Sequence, residues 1–178
     1  GRFVINAINT LQPGAEPGDY TLADSWIWAR LQTLVRDVER QFQNFQYGQA
    51  GQQIYDFLWS DFADWYVEIA KQELAEGGSR AARAADTLAR VFDMALRLLH
   101  PFTPFVTEEI WGHLHSAVRE SPHKEICKDW PDALIVAKWP EPRQAEGWET
   151  KAIEDFELIR EIVRYIRDHR QKMITRTS

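Results

Sequence analysis

Fourteen residues, Leu98–Trp111 (LLHPFTPFVTEEIW), constrain this chain most, because they hold a helix stop, a rigid turn and a helix start. Upstream, Leu88, Val91, Phe92, Ala95, Leu96 and Leu99 recur at the three-and-four spacing of one apolar helix face. Pro101 ends that pattern by pushing His100 away from helical geometry. Thr103 then offers a hydroxyl cap, and Pro104 suits the first helical position, where a missing N–H costs nothing. Glu108 and Glu109 follow near the positive end of the new helix. The place of Phe105 in this hinge leads us to expect it buried.

Other stretches carry the same periodicity. Thr21 and Asp24 have capping-box spacing, and Leu31, Leu34, Val35, Val38, Phe42 and Phe45 continue one stripe, predicting a helix over 22–45. After a break at Tyr47-Gly48, a second stripe runs from Ile54 through Phe57, Leu58, Phe62, Trp65, Tyr66 and Ile69 to a stop at Gly77-Gly78. Ser79 is expected to cap a third helix reaching Leu99, with a short helix over 104–118 and a last one over 150–173. Arg2–Leu11 reads as the tail of a helix, followed by a Pro/Gly-rich loop over 12–20. Residues 119–148 carry prolines and charged turns, with LIVAKW (Leu134–Trp139) as a strand-like piece inside an irregular excursion. Long single-faced helices on short connections predict an all-α, antiparallel helical bundle.

At 178 residues the chain is long enough for one domain with a substantial core, and we expect residues 1–178 to be that domain. No apolar run approaches the roughly 20 residues of a membrane span. A single Cys127 and no secretion pattern fit a reducing cytoplasm. The opening Gly1-Arg2-Phe3-Val4 runs directly into helix-like sequence, as expected for part of a larger protein. The net charge is −6, unevenly spread: residues 1–76 carry 5 basic and 11 acidic side chains, residues 77–178 carry 16 of each. Attraction to nucleic acid must therefore be local.

The hinge, DFADWYVEIAK (Asp61–Lys71), LADSWIWARL (Leu22–Leu31) and the Trp-Pro-Glu-Pro at Trp139–Pro142 together resemble the anticodon-binding helical domain of class I aminoacyl-tRNA synthetases. The Asp-Trp-Tyr-x-Glu pattern is most similar to the valyl branch, valyl-tRNA synthetase. The resemblance implies a module that presents one end of a helical bundle to the anticodon stem-loop of valine tRNA. It implies a parent that joins valine to tRNA using ATP and Mg, with its catalytic domain elsewhere in the same chain, acting as a monomer. Neither adenylate-forming signature of the family, His-Ile-Gly-His or Lys-Met-Ser-Lys-Ser, occurs here, so no catalytic residues are assigned. The alternatives are the same module from an isoleucyl or leucyl enzyme, or a helical protein-interaction scaffold.

For RNA contact the candidates are Arg2, Trp26, Arg30, Asp61, Asp64 and Trp65, since splayed bases need flat partners and base edges need polar groups. Trp26, in the first turn of the long helix, is the preferred stacking residue. Trp65 lies on an apolar stripe, where core packing competes with contact. Arg160, Arg164 and Arg167 are spaced i, i+4 and i+7 on the last helix and read either as a solvated face paired with Glu157 and Glu161 or as a phosphate-contacting stripe. The IRDHR segment (Ile166–Arg170) departs from the family's Ile-Arg-Asn-x-Arg. His113, His115 and Cys127 lack the four-ligand spacing of a zinc site, and no metal ligands are assigned.

Overall fold

A computed structural model describes residues 1–11 and 15–176, with side chains through Arg170. Gln12, Pro13 and Gly14 of the expected loop, and Thr177 and Ser178, lie outside the described residues. The elements are α1 (Arg2–Asn9), α2 (Leu22–Gln43), α3 (Tyr47–Asp56), a π-helical segment (Phe57–Tyr66), α4 (Val67–Glu76), α5 (Gly78–Leu99), α6 (Pro104–Glu120) and α7 (Trp148–Arg176). The chain is all-α, with no strand among the described residues.

Helix α2 is the spine. Its capping box forms as expected, with the Asp24 N–H donating to Thr21 Oγ1 at 3.1 Å and the Thr21 N–H donating to Asp24 Oδ2 at 2.9 Å. Ile27, Leu31, Leu34, Val35 and Val38 are buried along it. The helix turns at Phe45 (φ 59°), and α3, the π segment and α4 then run on as one continuous helical stretch. Gly77 and Gly78 stop it in left-handed geometry (φ 77° and 60°), which a side chain would resist. Helix α5 starts at Gly78, so Ser79 lies inside it and caps nothing, contrary to expectation. Small buried residues such as Ala81, Ala84 and Ala85 allow α5 to approach its neighbours closely.

At the hinge, α5 ends before Pro101 and α6 begins with Pro104 in its first turn. His100 keeps helical geometry (φ −54°, ψ −41°), contrary to expectation, because its N–H still donates to the Leu96 carbonyl at 2.9 Å, and the chain leaves the helix only after it. The Thr103 hydroxyl makes no capping bond; its carbonyl instead accepts from the Thr107 N–H at 3.1 Å and Thr107 Oγ1 at 2.9 Å. Phe105 is 90% exposed, which corrects the expectation that it is core. The inward face of α6 is set by Thr107, Trp111, Leu114 and Val118, and that phase turns Phe105 outward. Phe102 packs the hinge in its place, edge-on to Phe42 with centroids 5.9 Å apart. A Cβ on Gly51 would lie only 3.2 Å from the Phe102 ring, so the absence of a side chain there makes the approach possible.

The excursion is irregular, as expected, but LIVAKW is not a strand. Leu134–Val136 form a 3-10 turn whose first two N–H groups, of Leu134 and Ile135, donate to the Glu108 carboxylate at 2.7 and 3.0 Å. A carboxylate from α6 satisfies donors that a neighbouring strand would otherwise take. Glu149, in the first turn of α7, accepts from the N–H groups of Glu146 and Gly147. Ala152, Phe156 and Arg160 bury its first half against the bundle, and its exposed side chains run on through Arg170.

Candidate nucleic-acid interface

Six of the residues nominated from sequence meet where α2, the π segment and α7 pack together. Asp61, buried at 4% exposure, receives two arginines from different elements. Arg30 Nε donates to its Oδ2 at 2.8 Å, and Arg160 Nη1 donates to its Oδ1 at 3.2 Å. Arg160 Nη1 also donates to Glu157 Oε1 at 2.6 Å. The Arg160 guanidinium lies 5.5 Å from the Trp26 ring centre and 5.2 Å from that of Trp65, while Arg167 lies 5.7 Å over Trp65. These are cation–π distances. A π-helical turn carries Asp61 and Phe62 inward together, and such turns are frequent at functional sites.

This geometry sorts the nominated residues. Trp26 is fully buried and stacked on Phe156, with centroids 4.1 Å and planes 18° apart. A ring with no open face cannot stack a base, so Trp26 belongs to the core, and the preference for it as the stacking residue is corrected. Arg160 is 8% exposed and belongs neither to a solvated face nor to an open phosphate stripe. It braces the site through Asp61. Trp65 is half-buried, edge-on to Phe156 with centroids 6.2 Å apart. Arg30 keeps 38% of its side chain exposed. Arg164 and Arg167 are exposed and continue the row that Arg160 begins. Asp64 and Arg2 are exposed and enter none of these contacts. The pairing of Arg160 with Glu157 is the one expected from their spacing, whereas Phe156 was not foreseen, because nothing in the sequence pairs α7 with Trp26 across 130 positions.

Below the cluster, Tyr66 Oη donates to Asp24 Oδ1 at 2.6 Å and ties the π segment to the start of α2. Burial, reinforced by the Asp24 charge, holds the Tyr66 phenol well above its ordinary range. Burial likewise raises the Glu73 carboxyl, with Asp24 adding to it. The Cys127 thiol is pushed up by burial, which disfavours the reactive thiolate. His113 meets Glu109 at 3.2 Å, and His115 packs against both Trp111 and Trp130, whose rings also meet each other at 5.7 Å.

Residues 24–178 match the family described as the anticodon-binding domain of tRNA ligase. The chain belongs to that family. Helix α2 from Asp24, the π segment and the whole of α7 fall inside the matched range, so the arginine and tryptophan cluster lies within the anticodon-binding domain itself. The chain is 39% identical over 163 residues to a valine–tRNA ligase of Bacillus licheniformis, covering 90% of this chain and 17% of that protein. It is 38% identical over 182 residues to the valine–tRNA ligase of Symbiobacterium thermophilum, covering 95% and 19%. The chain thus spans less than a fifth of the length of these relatives. No helix among the described residues is long and apolar enough to cross a membrane.

Proposed function

We propose that this anticodon-binding domain recognises the anticodon stem-loop of valine tRNA as one domain of a valine–tRNA ligase. The observation that carries the reading is the brace itself. Arg30, Asp61 and Arg160 fix the half-open edge of Trp65 beside the exposed row of Arg164 and Arg167. A flat ring next to exposed cations is what a splayed base and its phosphate require. In this reading Trp65 stacks a base, Arg30 and Asp64 read base edges, and Arg164, Arg167 and Arg2 meet the backbone. The valine assignment is supported by the names of the relatives. The parent would attach valine to tRNA with ATP and Mg in a catalytic domain of the same chain, as a cytoplasmic monomer, and the residues described here would supply recognition.

A second reading has its own observation. Leu158, Ile159, Ile162, Tyr165 and Ile166 are each between 42% and 71% exposed on α7, a row suited to a protein partner. Binding of labelled stem-loops across a salt series separates the two. Trp65→Ala should weaken the valine-type stem-loop by about 1 to 3 kcal/mol, the worth of one base stack. Arg164→Ala should weaken all stem-loops alike and reduce the salt slope by about one, because a phosphate contact carries no sequence information. Stem-loop affinity that ignores both changes and the anticodon sequence would sink the RNA reading and leave the scaffold.

A further inference from the structure

Exposed apolar side chains gather at one end of the bundle, where α2 stops and α6 starts. Phe45 and Tyr47 where α2 passes into α3, Phe105 and Val106 on α6, and Ile135 and Val136 in the 3-10 turn are each between 48% and 90% exposed. These segments form one surface. Tyr47 meets Phe45 and Phe42 edge-on with centroids 6.3 and 5.3 Å apart, and Phe42 in turn meets Phe102 of the hinge at 5.9 Å and Trp139 at 5.3 Å. On the other side Glu108, one turn after Phe105, holds the backbone of Leu134 and Ile135.

Charge sets this surface apart. Residues 41–55, 98–107 and 133–137 contain no Asp, Glu, Lys or Arg, although such residues make up 27% of the chain. Charges return at the edges of the three stretches: Arg40 and Asp56, Arg97 and Glu108, Asp132 and Lys138. Exposed apolar residues scattered singly need no explanation, but a contiguous patch of them does. Aromatic rings at an uncharged centre inside a charged rim are the anatomy of a buried protein interface. RNA does not fit there, because a phosphate backbone requires cations and the three stretches supply none. The patch is also remote from the brace, since Phe42 lies about 18 Å along α2 from Arg30. The chain spans 17% to 19% of its valine–tRNA ligase relatives, so more than four-fifths of such a protein lies outside it.

We propose that this end of the bundle is the docking surface for another domain of the same polypeptide, which covers Phe45, Tyr47, Phe105 and Ile135 with an uncharged apolar face of its own. The bundle then has two working ends, RNA at the brace and the body of the ligase at the hinge. The inference rests on the place of this chain within a longer ligase, and not on its RNA contacts.

Hydroxyl-radical labelling read by mass spectrometry tests this by comparing the 178-residue chain with the full-length ligase that contains it. In the chain alone, Phe45, Tyr47 and Phe105 should label quickly. In the full-length protein without tRNA they should fall to the rate of buried Phe156, while exposed Trp59 keeps its rate. Phe105→Glu should leave the unfolding temperature of the chain alone unchanged and restore the labelling of Phe45 and Tyr47 in the full-length protein; Phe105→Leu should restore nothing. Ile135→Glu, on a different segment, repeats the test if the first variant fails to fold. Equal labelling of the patch in the two proteins overturns the proposal. So does equal protection of Trp59, which would be general shielding. Protection that appears in the chain alone and grows with its concentration marks a second copy, and protection that requires tRNA marks RNA; either also overturns it. Stem-loop binding that depends on Trp65 survives all of these results. A protected patch without stem-loop binding would instead remove the RNA reading and leave the docking surface standing.

Discussion

Phe156 lies flat on Trp26, centroids 4.1 Å apart, and this one stack fastens the last helix to the first long one. Phe156 is 2% exposed, so Phe156→Ala removes a fully packed ring. We expect a loss of about 3 to 5 kcal/mol in denaturant unfolding. The Trp26 indole should gain solvent, shifting fluorescence to the red. A loss below about 1 kcal/mol would mean that α7 docks by other contacts.

The hinge makes a paired prediction. Phe105→Ala should change stability by no more than about 0.5 kcal/mol, as befits an exposed ring. Phe102→Ala, against Phe42 and Gly51, should cost about 1 to 3 kcal/mol, less than a full core value because the ring is half-buried. Equal costs would contradict the packing described.

Asp61 holds two guanidinium groups, one of them buried. Asp61→Asn keeps the shape and removes the charge, leaving Arg160 with 9% side-chain exposure and only Glu157 as counter-ion. Breaking a buried pair in this way costs about 3 to 5 kcal/mol, whereas Arg30→Ala, removing a more exposed partner, should cost about 1 kcal/mol or less. Thermal unfolding of the two variants side by side checks the ranking. Similar losses would place the strain elsewhere.

Glu73 should give the pH dependence an unusual sign. Its folded-state carboxyl is raised by burial and by Asp24, so the folded chain holds this proton more tightly than the unfolded one. Stability from this group is therefore lost as pH rises from the ordinary carboxylate value through the raised one. Glu73→Gln should stabilise the chain at neutral pH, with the advantage vanishing in acid where both forms are neutral. Glu149 runs the other way: backbone N–H groups, that of Glu146 foremost, lower its carboxyl, and its contribution is lost as pH falls through that lowered value. Urea midpoints at neutral and acid pH decide; a destabilised Glu73→Gln at neutral pH would refute the assignment.

What was legible in the sequence was local. The capping box at Thr21 and Asp24, the Gly77-Gly78 stop and the Pro101 to Pro104 hinge each depend on residues a few positions apart, and each forms close to where spacing puts it. The errors share a different cause. The fates of Trp26, Phe105 and LIVAKW are decided by partners 26 to 130 positions away: Phe156 covers the first, the phase of α6 and the Phe102–Phe42 contact displace the second, and Glu108 takes the donors of the third. Arg160 was read by its row on α7, which was correct for Arg164 and Arg167 as exposed neighbours, but Asp61 drew it inward.

The π segment has a further consequence for how this domain tolerates change in length. An α-helix advances about 100° per residue, so a wide turn between Phe57 and Tyr66 works as a phase shifter between the two halves of one long rod. Upstream, Ala50 and Ile54 point into the bundle; downstream, Tyr66, Ala70 and Glu73 do, and the offset between the two sets is absorbed within those ten residues. Deleting one residue there would let the rod relax toward ordinary winding while rotating everything after it. Tyr66 would swing off Asp24, and Asp61 would leave its two arginines together. Gene-level insertions and deletions in this stretch should therefore be felt across the whole bundle, whereas the glycine joint at Gly77 and Gly78, with open space around both residues, can take up slack without turning its neighbours.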